Sequence, residues 1–168
     1  MPKFNRQRLV FGLYLLVLIA AAVLVTGHFK LPSWPAFMAM VFFFVEDMDA
    51  AKVPHILVGG MFGIACILLA APTIGALAPF IGVEYATLAY ILVVVYAIVA
   101  LGEMLPLLFN NFAFMYLTVT GMAVQLPDPK PYLWMAITGV GGALLIAGVI
   151  GIGKLMSPPA AAQPGNRH

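Results

Sequence analysis

The sequence predicts an all-α polytopic transmembrane helical bundle with six spans. Hydrophobic residues make up 64% of its 168 positions and charged residues 8%, whereas about a quarter of a typical soluble domain is charged. The mean hydropathy of +1.07 is correspondingly high. Residues 1–156 form six apolar segments, each of which we interpret as a span in one bundle. Residues 157–168, rich in Pro and Ala, are interpreted as a disordered cytoplasmic tail.

The first three segments differ in length. Residues 9–27 are too long for the apolar part of a signal peptide and predict a retained first helix. Residues 33–45 are short and stop at an acidic cluster, so the sequence leaves open whether 33–46 fully cross. The third span begins at Pro54, which suits a first helical turn. We expect it to end near Ala71, before a stretch with two prolines and two glycines.

The remaining three segments are predicted at 85–102, 107–124 and 132–153. A loop of Pro, Asp and Lys residues separates the last two. If all six segments cross, the positive-inside rule places both termini in the cytoplasm. On that side lie Lys3, Arg6, Arg8, Lys52, Lys154 and Arg167, and on the other lie Lys30 and Lys130. If the second segment is re-entrant, the orientation of all later segments is reversed, and the excess of basic residues on one side becomes smaller.

A short internal match suggests a three-plus-three inverted repeat. Ala36, Phe37 and Met38 in the second segment recur as Ala113, Phe114 and Met115 in the fifth. Three spans per half place the second half upside down relative to the first, as in many transporters. Membrane composition alone also produces such matches.

Small residues at four-residue spacing predict close helix packing. One such ridge consists of Gly59 and Gly63 in the third span. The sixth span carries a second ridge, formed by Gly139, Ala143, Ala147 and Gly151.

Rare polar groups within the spans predict a substrate path between the second and fifth segments, because a charge inside a bilayer costs roughly 3 kcal/mol on insertion scales. Asn111, Met115, Thr118 and Met122 fall on one helical face. The predicted path consists of Trp34, Phe37, Asn110, Asn111, Phe114 and Thr118. In the alternative interpretation, the asparagines bond neighbouring backbone and Trp34 anchors the chain at the membrane interface.

Acidic residues near the segment ends are candidates for coupling or gating. Glu46 and Asp47 belong to the one acidic cluster of the sequence, and Glu103 closes the fourth span. Carboxylates at a pore mouth attract cations or relay protons. Equally, Glu46 and Asp47 fit a solvated cytoplasmic loop, and Glu103 fits the membrane interface.

The sequence predicts no metal site, no cofactor, no nucleic-acid partner and no enzymatic activity. The six-span topology puts His28 and His55 on opposite sides, which argues against a bis-histidine haem. Cys66 is the single cysteine. No phosphate-binding loop, zinc-protease motif or nucleophile elbow occurs.

One group of known proteins shares several of these features. A short apolar segment opens with the seven residues 31–37, LPSWPAF, and a Gly-rich helix follows; Phe112, Phe114, Thr118 and Gly121 then precede a final Gly-rich helix. The chain resembles the small uncharacterised bacterial inner-membrane proteins, of the domain-of-unknown-function class, that contain a leucine-serine-tryptophan segment. It departs from them in having Pro32 within that segment and Asn110 and Asn111 where small or Pro residues are expected.

That resemblance spans most of residues 9–154 and implies a compact polytopic fold in the bacterial inner membrane. The six-span layout is also similar, in architecture alone, to that of the proton-gated urea and amide channels.

The leading functional hypothesis is a channel or simple transporter for a small uncharged or weakly charged solute. Its expected partners are the lipid bilayer, the solute, and either further copies of the chain in a homo-oligomer or a partner in a membrane complex. One rival is a non-catalytic subunit of a larger membrane complex. A second rival is an ion- or proton-coupled carrier that uses Glu46 or Glu103.

Overall fold

A computed structural model describes residues 6–156, in which all regular structure is helical and no strand occurs. Lys3, Arg167 and the predicted tail at 157–168 lie outside the described residues. The helices are α1 (Arg6–His28), α2 (Trp34–Val45), α3 (Val53–Ile81), α4 (Val83–Leu101), α5 (Asn111–Ala123) and α6 (Pro131–Met156).

Four of these helices are long and apolar enough to cross a membrane, namely α1, α3, α4 and α6. α2 is apolar but has 12 residues, and α5 has 13. The described residues therefore support a multi-pass helical membrane protein, with four helices as candidate spans. α2 and α5 are both shorter than the roughly 20 residues that a helix needs to cross a membrane.

The expected end of the third span near Ala71 is wrong, because α3 continues to Ile81 with Pro72 and Pro79 inside it. Membrane helices tolerate interior prolines when other groups replace the lost backbone bonds. The chain reverses at Gly82, whose φ of +84° is readily adopted by glycine but strained for other residues. α4 begins directly after it, so α3 and α4 form a tight hairpin.

The other helix starts follow local rules. Proline occupies an early position in α2, α3 and α6, where its missing N–H costs nothing. Asn110 caps α5 by accepting a hydrogen bond from the Ala113 N–H at 2.9 Å. The predicted start of this segment at 107 therefore precedes the helix by four residues.

The pairs of residues in contact between two helices show whether these helices run parallel or antiparallel. Phe11 of α1 packs edge-to-face on Phe44 of α2, with ring centroids 6.4 Å apart. At the opposite end of that pair the Leu31 N–H donates to the Thr26 carbonyl at 2.8 Å. α1 and α2 are therefore antiparallel.

Two further registers complete the pattern. Gly59 lies against Asn110 and Gly63 against Ala113, so α3 and α5 run parallel. Gly60 lies against Thr138 on α6. Because Leu57 lies against Gly142, α6 runs antiparallel to α3. With the α3–α4 hairpin, successive helices alternate in direction along the whole chain.

Two central helices, α3 and α6, organise the bundle. α3 packs against α6, α5 lies along α3, and α2 lies along α6. On the outside, α4 packs on α3 and α1 packs on α6, while α4 touches α5 only slightly. The fully buried core includes Phe43, Ile56, Ile64, Tyr116 and Val149.

Close helix approaches occur at glycines of the two central helices. A Cβ placed on Gly63 would overlap the Ala113 carbonyl oxygen of α5. On α6, a Cβ at Gly141 would lie 3.1 Å from the Ala36 Cβ of α2. One at Gly142 would lie 2.7 Å from the Ala39 Cβ. Glycine is therefore required where α5 meets α3 and where α2 meets α6.

The ridge predicted on the sixth span falls partly on another face of α6. Gly139 does lie against a neighbour, the Met61 sulfur of α3. However, Ala147 is exposed, Ala143 is partly exposed, and nothing lies within 4 Å of a Cβ placed on Gly151. The buried face of the last helical stretch consists of Gly142, Leu145, Ile146, Val149 and Ile152. A π-turn at Ile137–Gly141 shifts the helical phase before this stretch, which a constant four-residue spacing does not anticipate.

Candidate functional site

Tyr116 is the polar side chain at the centre of the bundle. It belongs to the buried face of α5, with Phe112, Ala113 and Thr120, and its relative exposure is 0%. Its phenol O–H donates to the Pro35 carbonyl of α2 at 2.6 Å. Its ring also lies against Gly60 of α3, where a Cβ would come within 2.6 Å of it. Tyr116 therefore bridges α2 and α3 from α5.

Two threonine hydroxyls are buried near this bridge. Thr138 neighbours both Gly60 and the Tyr116 phenol, and it lies within the π-turn of α6. Thr120 follows Tyr116 by one helical turn on the same buried face. Both threonines have 0% exposure. The Thr120 hydroxyl has no hydrogen-bond partner among residues 6–156, and the Thr138 hydroxyl faces the Tyr116 phenol without the geometry of a normal hydrogen bond.

We refer to Tyr116, Thr120 and Thr138 as the hydroxyl cluster. None of the three was predicted from the sequence. The face of α5 predicted to be polar carries Asn111, Met115, Thr118 and Met122, and all four are exposed in the structure. The available signal was the four-residue spacing of Phe112, Tyr116 and Thr120, which defines the neighbouring face.

Asn110 lies at the opposite end of α5, outside the helix proper. Besides capping α5, its side-chain amide donates to the His55 carbonyl of α3 at 3.2 Å. The same amide donates to the Pro106 carbonyl at 2.9 Å and the Leu107 carbonyl at 3.1 Å. The side chain also lies against Gly59. Asn110 therefore fastens the start of α5 to the start of α3, the arrangement described by the alternative interpretation.

The residues predicted to line one path do not converge. Trp34 packs edge-to-face on Trp134, with ring centroids 5.5 Å apart. Asn111 is exposed. Phe37 lines a groove between α1, α2 and α6, whereas Phe114 and Thr118 line a second groove between α3, α4 and α5.

Aromatic side chains occupy the interface between α2 and α5. The Phe42 ring lies 5.3 Å from that of Phe112 and 5.8 Å from that of Tyr116, measured between centroids. Phe42, Phe112 and Tyr116 are all buried. In this conformation the predicted location of the path is therefore filled.

The two grooves are open at the side and almost entirely apolar. The groove that contains Phe114 and Thr118 has a volume of about 750 Å³, and the groove that contains Phe37 has one of about 520 Å³. Thr118 donates its hydroxyl proton to the Phe114 carbonyl of its own helix at 2.9 Å, and Thr87 does the same to the Val83 carbonyl at 2.8 Å. The grooves therefore present methyl and aromatic surface.

The candidate acidic residues lie at one end of the bundle. Glu46 forms an ion pair with Lys52 at 3.9 Å. Asp47 and Glu103 are exposed. Neighbouring Asp49 accepts a hydrogen bond from the Ala51 N–H at 2.9 Å, which caps the turn before α3. These positions are typical of a solvated loop.

At the opposite end, Lys130 pairs with Asp128 at 2.7 Å. The Asp128 carboxylate raises the pKa of the Lys130 ammonium by accepting its hydrogen bond and by its charge. Both side chains are largely exposed, so the pair contributes little to stability.

Side chains of the types that bind metal ions do not cluster in the part of the chain that the structure describes. No group of three or more His, Cys, Asp or Glu residues converges between positions 6 and 156. His28 ends α1, and His55 lies in the first turn of α3 at the other end of the bundle.

Comparisons with models of protein families, with curated proteins and with solved structures find no match for this chain.

Proposed function

We propose that this protein is a channel or simple transporter for a small uncharged or weakly charged solute, built as an inverted repeat of two three-helix halves. One observation carries the proposal. Ala36 and Ala113, the matched residues of the sequence repeat, each pack on a glycine of the central helix from the other half. Ala36 meets Gly141 of α6, and Ala113 meets Gly63 of α3.

The packing of whole helices supports the same relation. An inverted repeat matches α1, α2 and α3 with α4, α5 and α6. Under this match, the packing of α2 and α1 on α6 corresponds to that of α5 and α4 on α3. The short helices α2 and α5 occupy equivalent places. Transporters with inverted repeats carry short or interrupted segments at such equivalent places, next to the substrate site.

Six spans follow if α2 and α5 are counted with their flanking residues. Contacts place residues 31–44 beside 11–26 of α1, and 16 helical residues extend about 24 Å at 1.5 Å each. That distance covers most of the roughly 30 Å hydrocarbon core. α5 runs in the same direction as α3, so the three helices of the second half alternate in direction, as those of the first half do.

The charge distribution supports an orientation with both termini in the cytoplasm. One end of the bundle carries Arg6, Arg8, Lys52 and Lys154, and the other end carries Lys30 and Lys130. Under the positive-inside rule the more basic end is cytoplasmic. The sequence resemblance to bacterial inner-membrane proteins supports that membrane as the location.

Reconstitution tests the transport function. Purified protein is incorporated into liposomes, and solute-driven swelling is followed for a panel of small amides, acids and polyols. The proposal expects at least one neutral solute to enter faster than in empty vesicles of the same size. Rates equal to those of empty vesicles throughout the panel would contradict it.

The exposure of α4 favours the rival role, a non-catalytic subunit of a larger membrane complex. Of its 19 residues, Ala86 and Ile98 are buried within the described chain, and the larger groove lies beside it. Purification from native membranes in mild detergent discriminates the two roles. A stable unrelated partner favours the subunit, whereas a homo-oligomer or a monomer with transport activity favours the channel.

A further inference from the structure

We propose that the hydroxyl cluster of Tyr116, Thr120 and Thr138 is the solute-binding site, and that it takes a small neutral molecule carrying both hydrogen-bond donors and acceptors. The inference depends on the proposed transport function and names its site and substrate class. It is carried by two fully buried threonine hydroxyls that make no hydrogen bond of normal geometry, one of which lies beside a phenol that joins two helices.

The two threonines differ from others in the bundle. Thr26, Thr73, Thr87 and Thr118 each donate to the carbonyl four residues earlier in their own helix, at 2.7–2.9 Å. This is the usual way in which a membrane helix satisfies a hydroxyl. Thr120 and Thr138 make no such bond, although they are fully buried. The Thr120 hydroxyl therefore remains available to a ligand, and the Thr138 hydroxyl becomes available when the Tyr116 phenol beside it moves.

The helix geometry around Thr138 is also distinctive. It lies in the π-turn Ile137–Gly141, and π-turns inside α-helices often mark functional sites. Gly60 faces Thr138 and Tyr116 from α3. Glycines 139, 141 and 142 follow on α6. Thr138 thus lies where the two central helices contact each other at glycines.

The chemistry of the cluster specifies the substrate. The Tyr116 proton is committed to the Pro35 carbonyl, so the phenol oxygen offers an acceptor. Each threonine hydroxyl offers one donor and an acceptor. The charged side chains of residues 6–156 lie at helix ends or in loops, so an ion in the cluster would lack a counter-charge. A neutral amide or polyol satisfies the cluster.

Side chains fill the cluster in this conformation, since the Tyr116 ring touches Gly60 and Phe42. Admission of a solute therefore requires the Tyr116 ring to move from the interface of α2 and α5. The solute would then replace contacts that the ring makes in the closed conformation.

The test compares swelling of liposomes that contain wild type, T120V, T138V or the double variant. Valine retains the shape of threonine and removes the hydroxyl. T118V is the matched control, because its hydroxyl bonds its own helix and faces a groove. Acetamide and glycerol are the test solutes, and N,N-dimethylacetamide, which has no donor, is the comparison.

We expect T120V and T138V each to lower the protein-dependent acetamide and glycerol rates by up to about tenfold, the effect of one lost hydrogen bond. The double variant should lose at least about tenfold. T118V should remain within about twofold of wild type, T138S should retain the rate, and N,N-dimethylacetamide should gain nothing from the protein. T120V should also raise the melting temperature, because it removes a buried hydroxyl that has no partner in the closed conformation. A role in packing alone does not combine higher stability with lower flux.

The outcomes separate the two proposals. Wild-type flux that is unchanged in the double variant overturns the site and leaves the transport function standing. Equal acceleration of N,N-dimethylacetamide and acetamide overturns the substrate class. Wild-type rates equal to those of empty vesicles overturn the transport function, and the site with it.

Discussion

Tyr116 on α5 donates a hydrogen bond to the backbone carbonyl of Pro35 on α2, at 2.6 Å and out of reach of solvent. The two residues are 81 positions apart and belong to different halves of the chain. This bond therefore links the halves at the centre of the bundle.

Replacing Tyr116 by Phe should lower the free energy of unfolding by about 1 kcal/mol, because the Pro35 carbonyl loses its side-chain donor in a dry environment. Thermal unfolding in detergent measures the change as a lower melting temperature. Tyr96→Phe is the control, since Tyr96 is 74% exposed on α4. Equal stability of Y116F and Y96F would show that the bond contributes nothing.

Gly63→Ala should destabilise the protein by about 1–3 kcal/mol. The added methyl group meets the Ala113 carbonyl oxygen, which is backbone and cannot rotate away. Gly75→Ala, in the same helix, is the matched control because nothing lies within 4 Å of its Cβ position. That variant should gain up to about 1 kcal/mol from helix propensity.

Thermal unfolding should show a lower free energy of unfolding for Gly63→Ala than for wild type, and a higher one for Gly75→Ala. A Gly63→Ala protein as stable as Gly75→Ala would mean that α3 and α5 do not approach as closely as the structure shows.

Asn110→Ala should cost about 1–2 kcal/mol, since it removes the cap of α5 and the bond to the His55 carbonyl. Asn110→Ser separates these contributions, because serine still caps the helix but is too short to donate to the His55 carbonyl. We expect its stability to lie between wild type and Asn110→Ala. Exposed Asn111→Ala serves as the control. Chemical or thermal unfolding that ranks Asn111→Ala as the more damaging change would contradict this assignment.

The membrane topology can be read from cysteine accessibility. In a background with Cys66→Ala, single cysteines replace Asp47 or Asp128, which lie in exposed loops at opposite ends of the bundle. In intact cells, a membrane-impermeant thiol reagent should label position 128 and leave position 47 unlabelled until the membrane is broken. Labelling of both positions from outside would rule out the proposed orientation and span count.

The helical fold was predictable because apolar segment length and charge placement act locally. The sequence placed α1, α4 and α6 within a few residues of their observed ends. Pro72 and Pro79 misled it at α3, since proline breaks helices in water but is tolerated in a membrane helix. Turn signals calibrated on soluble proteins therefore shortened that span.

The candidate site was harder to predict because it depends on helix rotation. In an apolar helix both faces are hydrophobic, so the pattern does not tell the lipid-facing side from the buried side. Thr118 was therefore predicted to line the path, whereas Thr120, two residues away, is the threonine that is buried. The π-turn in α6 adds a change of phase that no fixed spacing anticipates. Asn110 stood out as polar, but its capping role depends on where α5 begins.

Transport of a small neutral solute is the central claim, and direct uptake tests it most plainly. Isotope-labelled glycerol or acetamide is added outside liposomes prepared with increasing numbers of wild-type chains per vesicle. If the protein transports either solute, the initial uptake rate rises in proportion to the number of chains, above the rate of empty vesicles. An uptake rate that does not change with protein density, for either solute, would contradict it.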